Sequence, residues 1–426
     1  MRILTISDSP SLYSGLARVH RHVIDAFVEA GHQVLPCVWF GYDDDTMRRI
    51  KDKEIKPPPL FYRSSCGEVQ MVTIPKDRNI ANNVTLLHDI IKMSKADIVF
   101  TMGDPWEFLY FEPLKTKANF GFKWIAYLTI ELEDMDESMG HVFSYADALI
   151  TPTVLGKNAL EANSGKSVSV IPFGVDTNKF RVFSDEERKN LREERGCADK
   201  IRFMTVAQNT WRKNLPALMQ AVKIISHRDP EKKMQFYVHT NIDGIDAQEA
   251  SMYDLRVIAE KLGVEDWFTF PEEDASIFSA PDDDFLAKEY NASDWFVTPT
   301  ITEGFGLPFQ ESMACGLPVI ASRASVMPEI IGEPLGESKF GLAERGWLVG
   351  NKVEVFPPAK LVKVIRHDAL GEAIWQATIL EDTRKIRENC VNYAKGRTWD
   401  AMKKALCGLV EGVGKAPAEI PVEIIP

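Results

Sequence analysis

The chain has 426 residues, 45% hydrophobic and 26% charged, with a formal net charge of −12, the proportions of a globular chain long enough for two domains with substantial cores. That acidic balance argues against a broad polyanion-gripping face, and no apolar run approaches the ~20 residues needed to span a bilayer. The six cysteines are scattered, with no C-x-x-C, and read as buried or incidental thiols rather than a disulfide frame or zinc site.

RILTIS, at residues 2–7, is the first strand and SPSLYSG a loop. Leu16 to Ala30 then form an amphipathic helix, with Val19, Val23, Ile24, Phe27 and Val28 at helical spacing and Gly31 as the stop. HQVLPCVWF is the next strand. The unit is β-loop-α-β, without the G-x-G-x-x-G spacing of a dinucleotide site. The apolar stretch of MRILTISDS is too short for a secretory signal, and the location expected is the cytoplasm. His20 and His22, on the helix, read as structural or surface residues. Residues 42–66 are polar and proline-bearing, an expected loop excursion. Within them Asp43 to Asp45 read as solvated, because no His or further carboxylate accompanies them to bind a metal.

Strand-helix alternation resumes with helix VTLLHDIIKMSKA, strand ADIVFTMGD and strand KWIAYLTIELED, the last ending on Glu131, Glu133 and Asp134. The charged run Ser184 to Arg195 reads as a solvated helix, opened by a capping box of Ser184 and Glu187. KIRFMTVAQNTWRKNLPALMQAV is a strand, a short loop and a helix with Arg212 and Lys213 at its start. MQFYVHTNIDG is the next strand and turn. Asp282 to Asp284 precede a helix, and N-capping and dipole pairing account for them without a metal.

Trp295 to Ser322 carry the densest signal. A strand (Trp295 to Pro299) leads into Gly304-Phe305-Gly306. Pro308 then suits the first turn of a short helix, Gly316 its stop, and PVIAS a buried strand. Such a loop aims backbone N–H groups and the positive end of a helix at one point, a place for phosphate or sugar oxygens. Glu303, on the loop, and Glu311, expected in the first helical turn, have seven residues between them. A carboxylate on each side of an anion-binding turn points to a ligand with both phosphate and hydroxyls. LGEAIWQATI and TRKIRENCVNYAKGRTWDAMKKAL follow as helical patterns, and residues 413–426 as a loose tail. No repeat of 20–50 residues is visible.

TITEGFGLPFQESMACGLPVIAS resembles the donor-site segment of family 4 glycosyltransferases, EGFGLPxxEAMAxGxPVIAS, with Ser312 in place of Ala. Further stretches are similar to that family's pattern. Ser14 to Arg18 resemble its GGxxR loop, with Ser14 for the first glycine. ADALITPT resembles its aDxvitpS strand, with Thr153 for Ser, and VSVIPFGVDTNKF its vxVIPNGVDxxxF linker, with Phe173 for Asn. TVAQNTWRKNL resembles vGRxxxxKNL, with Ala207 for the glycine and Gln208 for the arginine. YNASDWFVTP, Met327 to Ile330, GWLVG and RTWDAM also match family stretches.

The resemblance implies an α/β GT-B fold, two facing Rossmann-like domains with a deep inter-domain cleft. Residues 1–175 would form the acceptor side and 176–385 the donor side, with 386–412 a helix returning to the first domain and 413–426 the tail. It implies a retaining glycosyltransferase moving a sugar from a nucleoside-diphosphate sugar (UDP- or GDP-linked) to a hydroxyl acceptor, without a bound metal. Glu303 would then hold the sugar hydroxyls. Backbone N–H groups of Gly304, Phe305, Gly306 and Leu307 would meet sugar and phosphate, and Glu311 would accept the ribose hydroxyls. Lys213, with Arg212 and Gly15, would hold the diphosphate. Glu131 stands where many members carry His-Asp or Asp near the transferred sugar, which makes Glu303, Lys213 and Glu131 the catalytic candidates. A nucleotide-sugar epimerase, a phosphorylase-like enzyme and an inactive nucleotide-sugar-binding homologue remain alternatives. The acceptor is open among glycan, lipid, small molecule and nucleobase, including a phage-type DNA base.

Overall fold

The computed structural model describes residues 1–39, 49, 59–74, 80–116, 121–132, 135–240, 253–271, 283–332, 334–335, 341–356 and 360–413. Asp43 to Asp45, Glu133, Asp134, Asp282 and the tail beyond Val413 lie outside the described residues. Packing divides the chain into two compact units, one of Met1–Phe173 with Trp399–Pro426 and the other of Gly174–Thr398.

In the first unit β1 (Arg2–Asp8), β2 (Gln33–Trp39), β3 (Leu60–Ser64), β4 (Gly67–Ile74), β5 (Ile98–Gly103), β6 (Lys123–Leu128), β7 (Ala148–Thr151) and β8 (Val168–Val170) form one sheet in the order β3-β4-β2-β1-β5-β6-β7-β8. Every pairing is parallel except β3 with β4. Helices cover such a sheet, so its central strands are apolar throughout, as in the fully buried IVFTMG of β5. Under it Trp124 stacks on Phe111 at 5.0 Å between ring centres, and its indole N–H donates to Thr101 Oγ1 at 3.0 Å.

The hairpin β3–β4 corrects the expected loop at its end. Leu60 to Ser64 alternate between half-buried and exposed positions up to the buried Ser64, the pattern of an edge strand. The Tyr62 hydroxyl ties the strand to Asp25 of the helix Gly15–Glu29 at 3.2 Å. Pro59 lacks the N–H a strand needs, and β3 begins at the next residue, Leu60.

His20 is structural. Its Nδ1–H donates to the Asp8 carbonyl at 2.7 Å, and its Nε2 accepts from the Thr5 hydroxyl at 2.8 Å. Burial pushes its imidazole down to about 4, against the pull of that Asp8 bond. His22 stacks on Trp399 at 3.9 Å. Burial, then the cations Lys403, Arg21 and Arg18, push it down to about 3.

The second unit's sheet runs β11-β10-β9-β12-β13-β15-β14, from β9 (Ile201–Val206), β10 (Met234–His239), β11 (Phe268–Thr269), β12 (Trp295–Val297), β13 (Val319–Ser322), β14 (Leu342–Ala343) and β15 (Gly346–Val349). Only β14 runs antiparallel to its neighbour. A separate hairpin, β16 (Asn351–Phe356) with β17 (Lys360–Ile365), follows.

The expected return segment 386–412 proves to be two helices. Arg384–Lys395 stays with the second unit, where Arg387 donates to the carbonyls of Gly316 at 3.1 Å and Asp294 at 3.0 Å. Trp399–Val413 joins the first, where Lys403 pairs with Glu29 at 3.0 Å. The boundaries accordingly fall at Phe173/Gly174 and Thr398/Trp399 instead of after 175 and 385.

The helix Asp185–Glu194 has its capping box, the Ser184 side chain accepting from Glu187 N and the Glu187 carboxylate from Ser184 N. It is not solvated all round. Arg188 and Arg192, one turn apart, both grip Asp294, at 2.5 and 3.0 Å. Arg195 pairs with Glu289 at 2.6 Å, and Glu289 also holds the buried Arg202 at 2.7 Å. Burial raises the carboxyl of Asp294, but Arg188 and Arg192 outweigh that and hold it below its ordinary value. Removing one member of a buried ionic set strands the others without water. Glu289→Ala should therefore cost about 3–5 kcal/mol, read as a lowered midpoint in urea. An unchanged midpoint would show that Arg202 and Arg195 are satisfied without Glu289.

Candidate functional site

In the second unit the chain builds outward from β9 to β10 and β11, then returns to place β12 on the other side of β9. The loops leaving two adjacent parallel strands therefore diverge at their C-terminal ends, the crevice where open α/β sheets receive ligands. One of these loops carries Arg212 and Lys213 after β9. The other carries Glu303 to Gly306 after β12.

The two loops are bonded together. Ile301 N donates to the Arg212 carbonyl at 2.8 Å, and Arg212 Nη1 to the Thr302 carbonyl at 2.7 Å. Lys213 Nζ meets Glu303 Oε1 at 2.5 Å, both side chains mostly buried, and Arg212 Nη1 approaches Glu303 Oε2 at 3.5 Å. Burial alone would raise the Glu303 carboxyl. The Lys213 ammonium and then the Arg212 guanidinium overcome this and hold it below its ordinary value. Ser325 clasps the Glu303 backbone, its hydroxyl accepting from Glu303 N at 3.2 Å and donating to Glu303 O at 2.9 Å.

Arg212 and Lys213 are not at the start of the long helix. They form a single 3-10 turn, Trp211–Lys213, closed by Asn214 at φ 52°, and the helix runs Leu215–Arg228. Asparagine is among the few residues that tolerate this left-handed conformation. The break turns Lys213 toward Glu303 rather than into a helical row. Gln208, where the family pattern has arginine, is exposed.

After Glu303, Gly304 and Phe305 are buried and Gly306 takes φ 81°. An added Cβ at Gly306 would lie 2.2 Å from the Phe309 ring, so this turn requires glycine on both conformational and steric grounds. The helix Leu307–Ala314 then begins with Pro308, which carries no N–H, in its first turn and has no side-chain cap, and Phe309 N donates to the Gly306 carbonyl at 3.0 Å. Glu311 falls one turn deeper than expected, because the helix starts immediately after Gly306. It is buried and accepts a hydrogen bond from the Tyr290 hydroxyl at 3.0 Å. Ser312, in place of the family's alanine, satisfies its buried hydroxyl on the Phe309 carbonyl at 3.0 Å.

The structure thus brings Arg212, Lys213, Glu303 and the turn Gly304 to Leu307 together, with Glu311 one helical turn on. Gly15 and Glu131 belong to the first unit. Gly15 opens the helix Gly15–Glu29, whose N-cap Ser14 accepts from Ala17 N at 3.1 Å and donates to Asp8 at 2.8 Å. Glu131 follows β6 and is half-buried. Asn214, Ser325 and Tyr290 were missed as supporting residues. Asn214 had a local signal, an αL-tolerant residue directly before a Leu-Pro helix start, and Tyr290 opens the family-like stretch YNASDWFVTP.

Residues 186–352 match the family of Glycosyl transferases group 1. A D-inositol 3-phosphate glycosyltransferase of Corynebacterium jeikeium is 26% identical over 253 residues, 58% of this chain and 52% of that protein. The chain thus matches about half the length of this curated relative. Among solved structures, sucrose-phosphate synthase from Thermosynechococcus elongatus aligns over 98% of this chain and 100% of its own, with a TM-score of 0.71 and 20% identity. HepE of Anabaena, in complex with UDP, aligns over 97% and 100% with a TM-score of 0.67 and 15% identity. These likenesses establish the fold.

A carboxyl held below its ordinary value stabilises the folded state above its unfolded pKa, and that contribution is lost as pH falls through the folded value. The stability gap between the wild type and Glu303→Gln should therefore be full near neutrality and close as the pH drops below about 4.5, the ordinary value of this carboxyl. Thermal melts between pH 7 and 3 read it. A gap that does not change with pH would mean that the Glu303 charge does not stabilise the fold.

Proposed function

We propose that the chain is a family 4 glycosyltransferase of the GT-B fold, which transfers a sugar from a nucleoside-diphosphate sugar to a hydroxyl acceptor with retention of anomeric configuration. The observation that carries this reading is the Lys213–Glu303 pair at 2.5 Å beside an uncapped helix N-terminus, at the reversal of strand order. Paired cation and carboxylate match a donor that presents phosphate and hydroxyls a few ångströms apart.

The chemistry follows from charge. As the bond from the anomeric carbon to the phosphate oxygen breaks, negative charge builds on the diphosphate and positive charge on the sugar ring. Lys213, with Arg212 beside it, neutralises the first, and the amides of Gly304 to Leu307 add oriented dipoles. Glu303 accepts hydrogen bonds from the sugar hydroxyls and fixes the ring against the phosphate. Glu311 accepts from the ribose hydroxyls. The acceptor oxygen forms its bond on the face the phosphate leaves, and its proton passes to the departing phosphate oxygen, so the step balances without a separate base.

In the structure Lys213 and Glu303 satisfy one another. Donor binding then replaces the internal ion pair by one external ion pair, phosphate on Lys213, and by hydrogen bonds from the sugar hydroxyls to Glu303. This keeps the desolvation cost low, because the two charges are already buried and held. HepE was solved with UDP, which supports UDP as the first nucleotide to test, with GDP next to it.

Two measurements test the proposal. Glu303→Ala should abolish transfer while leaving nucleoside diphosphate binding within a few-fold, since its partner is the sugar. Equal loss of both in a folded variant would refute that role. In a thermal-shift panel of UDP, GDP, ADP and their sugars, a true donor at 100 times its Kd should stabilise by about 2.7 kcal/mol. No stabilisation by any member would overturn the nucleotide-sugar reading.

A further inference from the structure

Glu311 is not alone in the core. The hydroxyl of Tyr290 donates to its Oε2 at 3.0 Å, across 21 residues of chain. Tyr290 has no measurable exposure and Glu311 only 4%. The phenol is the donor and the carboxylate oxygen the acceptor.

The tyrosine itself is held. Its ring lies 6.0 Å from Phe180 and 6.1 Å from Phe296, edge-on or tilted to each. The helix that carries it, Asp283–Ala292, is anchored on either side of Tyr290. Glu289 is gripped by Arg202 and Arg195, at 2.7 and 2.6 Å. Asn291 donates to the Arg181 carbonyl and accepts from Phe183 N, both at 2.9 Å. The phenol oxygen therefore stands on a support that cannot yield without breaking several buried polar contacts.

From this geometry we infer that Tyr290 is the positioning residue of the nucleotide site, setting the plane of the Glu311 carboxylate so that it receives the ribose 2′- and 3′-hydroxyls together. The inference rests on the ribose role proposed for Glu311. A glutamate side chain turns about three bonds, and recognition of a vicinal diol needs its two oxygens in one orientation. A hydrogen bond from a locked phenol removes that freedom before the ligand arrives, so the cost of ordering is met in folding instead of binding. A carboxylate oxygen has two lone pairs, so the bond to Tyr290 does not exhaust Oε2 as an acceptor.

The test separates orientation from mere structure. Calorimetric titration of the full chain with UDP, GDP and ADP, each against its 2′,3′-dideoxy counterpart, measures what the ribose hydroxyls contribute. In the wild type the best nucleoside diphosphate should bind at least tenfold more tightly than its dideoxy form. In Tyr290→Phe that ratio should fall to within threefold while affinity for the dideoxy form stays the same, and in Glu311→Gln it should fall as far. The double variant Tyr290→Phe, Glu311→Gln should lose no more than Glu311→Gln alone, because the tyrosine acts through the glutamate. A wild type that does not distinguish any nucleotide from its dideoxy form overturns the ribose role of Glu311, and the role of Tyr290 with it. A wild type that does, beside a Tyr290→Phe variant that keeps the same ratio, overturns the positioning role alone. Equal weakening of both ligand forms in Tyr290→Phe would show a structural effect and likewise overturn it.

Discussion

The second unit depends on a reversal of strand order. β9 lies between β10 and β12, so the loops after β9 and β12 leave the sheet side by side and diverge. Open α/β sheets receive ligands at such a reversal. What the sequence then places on those two loops decides the chemistry: two cations on one, a carboxylate and a glycine turn on the other. The pairing of Lys213 with Glu303 at 2.5 Å joins the loops as well as supplying charge. It is at once a tertiary contact and the centre of the candidate site.

Such a pair would be costly if either loop could drift, since an isolated buried charge loses far more than a surface bridge gains. The surrounding backbone prevents drift. The Arg212 carbonyl accepts from Ile301 N, and Ser325 clasps both polar groups of the Glu303 backbone. Ser325 itself takes φ 52°, an unusual conformation for a residue other than glycine, and such positions collect where the surroundings over-determine the backbone. Further back, Arg188, Arg192, Arg195 and Arg202 tie the helix Asp185–Glu194, its C-cap and β9 to Glu289 and Asp294, both of which precede β12. This ionic network holds the approach to the strand from which Glu303 is hung.

Much of this was legible in the sequence and some was not, for definite reasons. Alternation of apolar strands and amphipathic helices was enough to place the parallel sheets, and Pro308 and Gly316 marked the ends of one short helix through their own backbone restrictions. Glu303, Gly306 and Lys213 were visible because their chemistry is local to a motif. The hairpin β3–β4 was read as loop, since a polar edge strand after three prolines carries little periodicity. The helix Asp185–Glu194 looked solvated for a related reason. Charge composition cannot reveal that Arg188 and Arg192 find a carboxylate roughly a hundred residues onward. The split between Arg384–Lys395 and Trp399–Val413 was hidden because both segments are helical, and only packing separates them.

The residues that sequence reasoning missed share a property. Ser325 and Tyr290 bond to candidate ligand-binding residues and Asn214 follows one directly in the chain, and none of them carries a charge that would draw notice. A motif shows which groups meet a ligand, because those groups need particular chemistry. It does not show what keeps them aimed, because aiming can be done by any buried donor at the right height. Tyr290 has that height only because Glu289 and Asn291, its chain neighbours, are bound to other elements of the unit. The precision of a carboxylate in this fold therefore derives from contacts two shells away, and a motif that is intact over its whole length can still fail if that backing is lost.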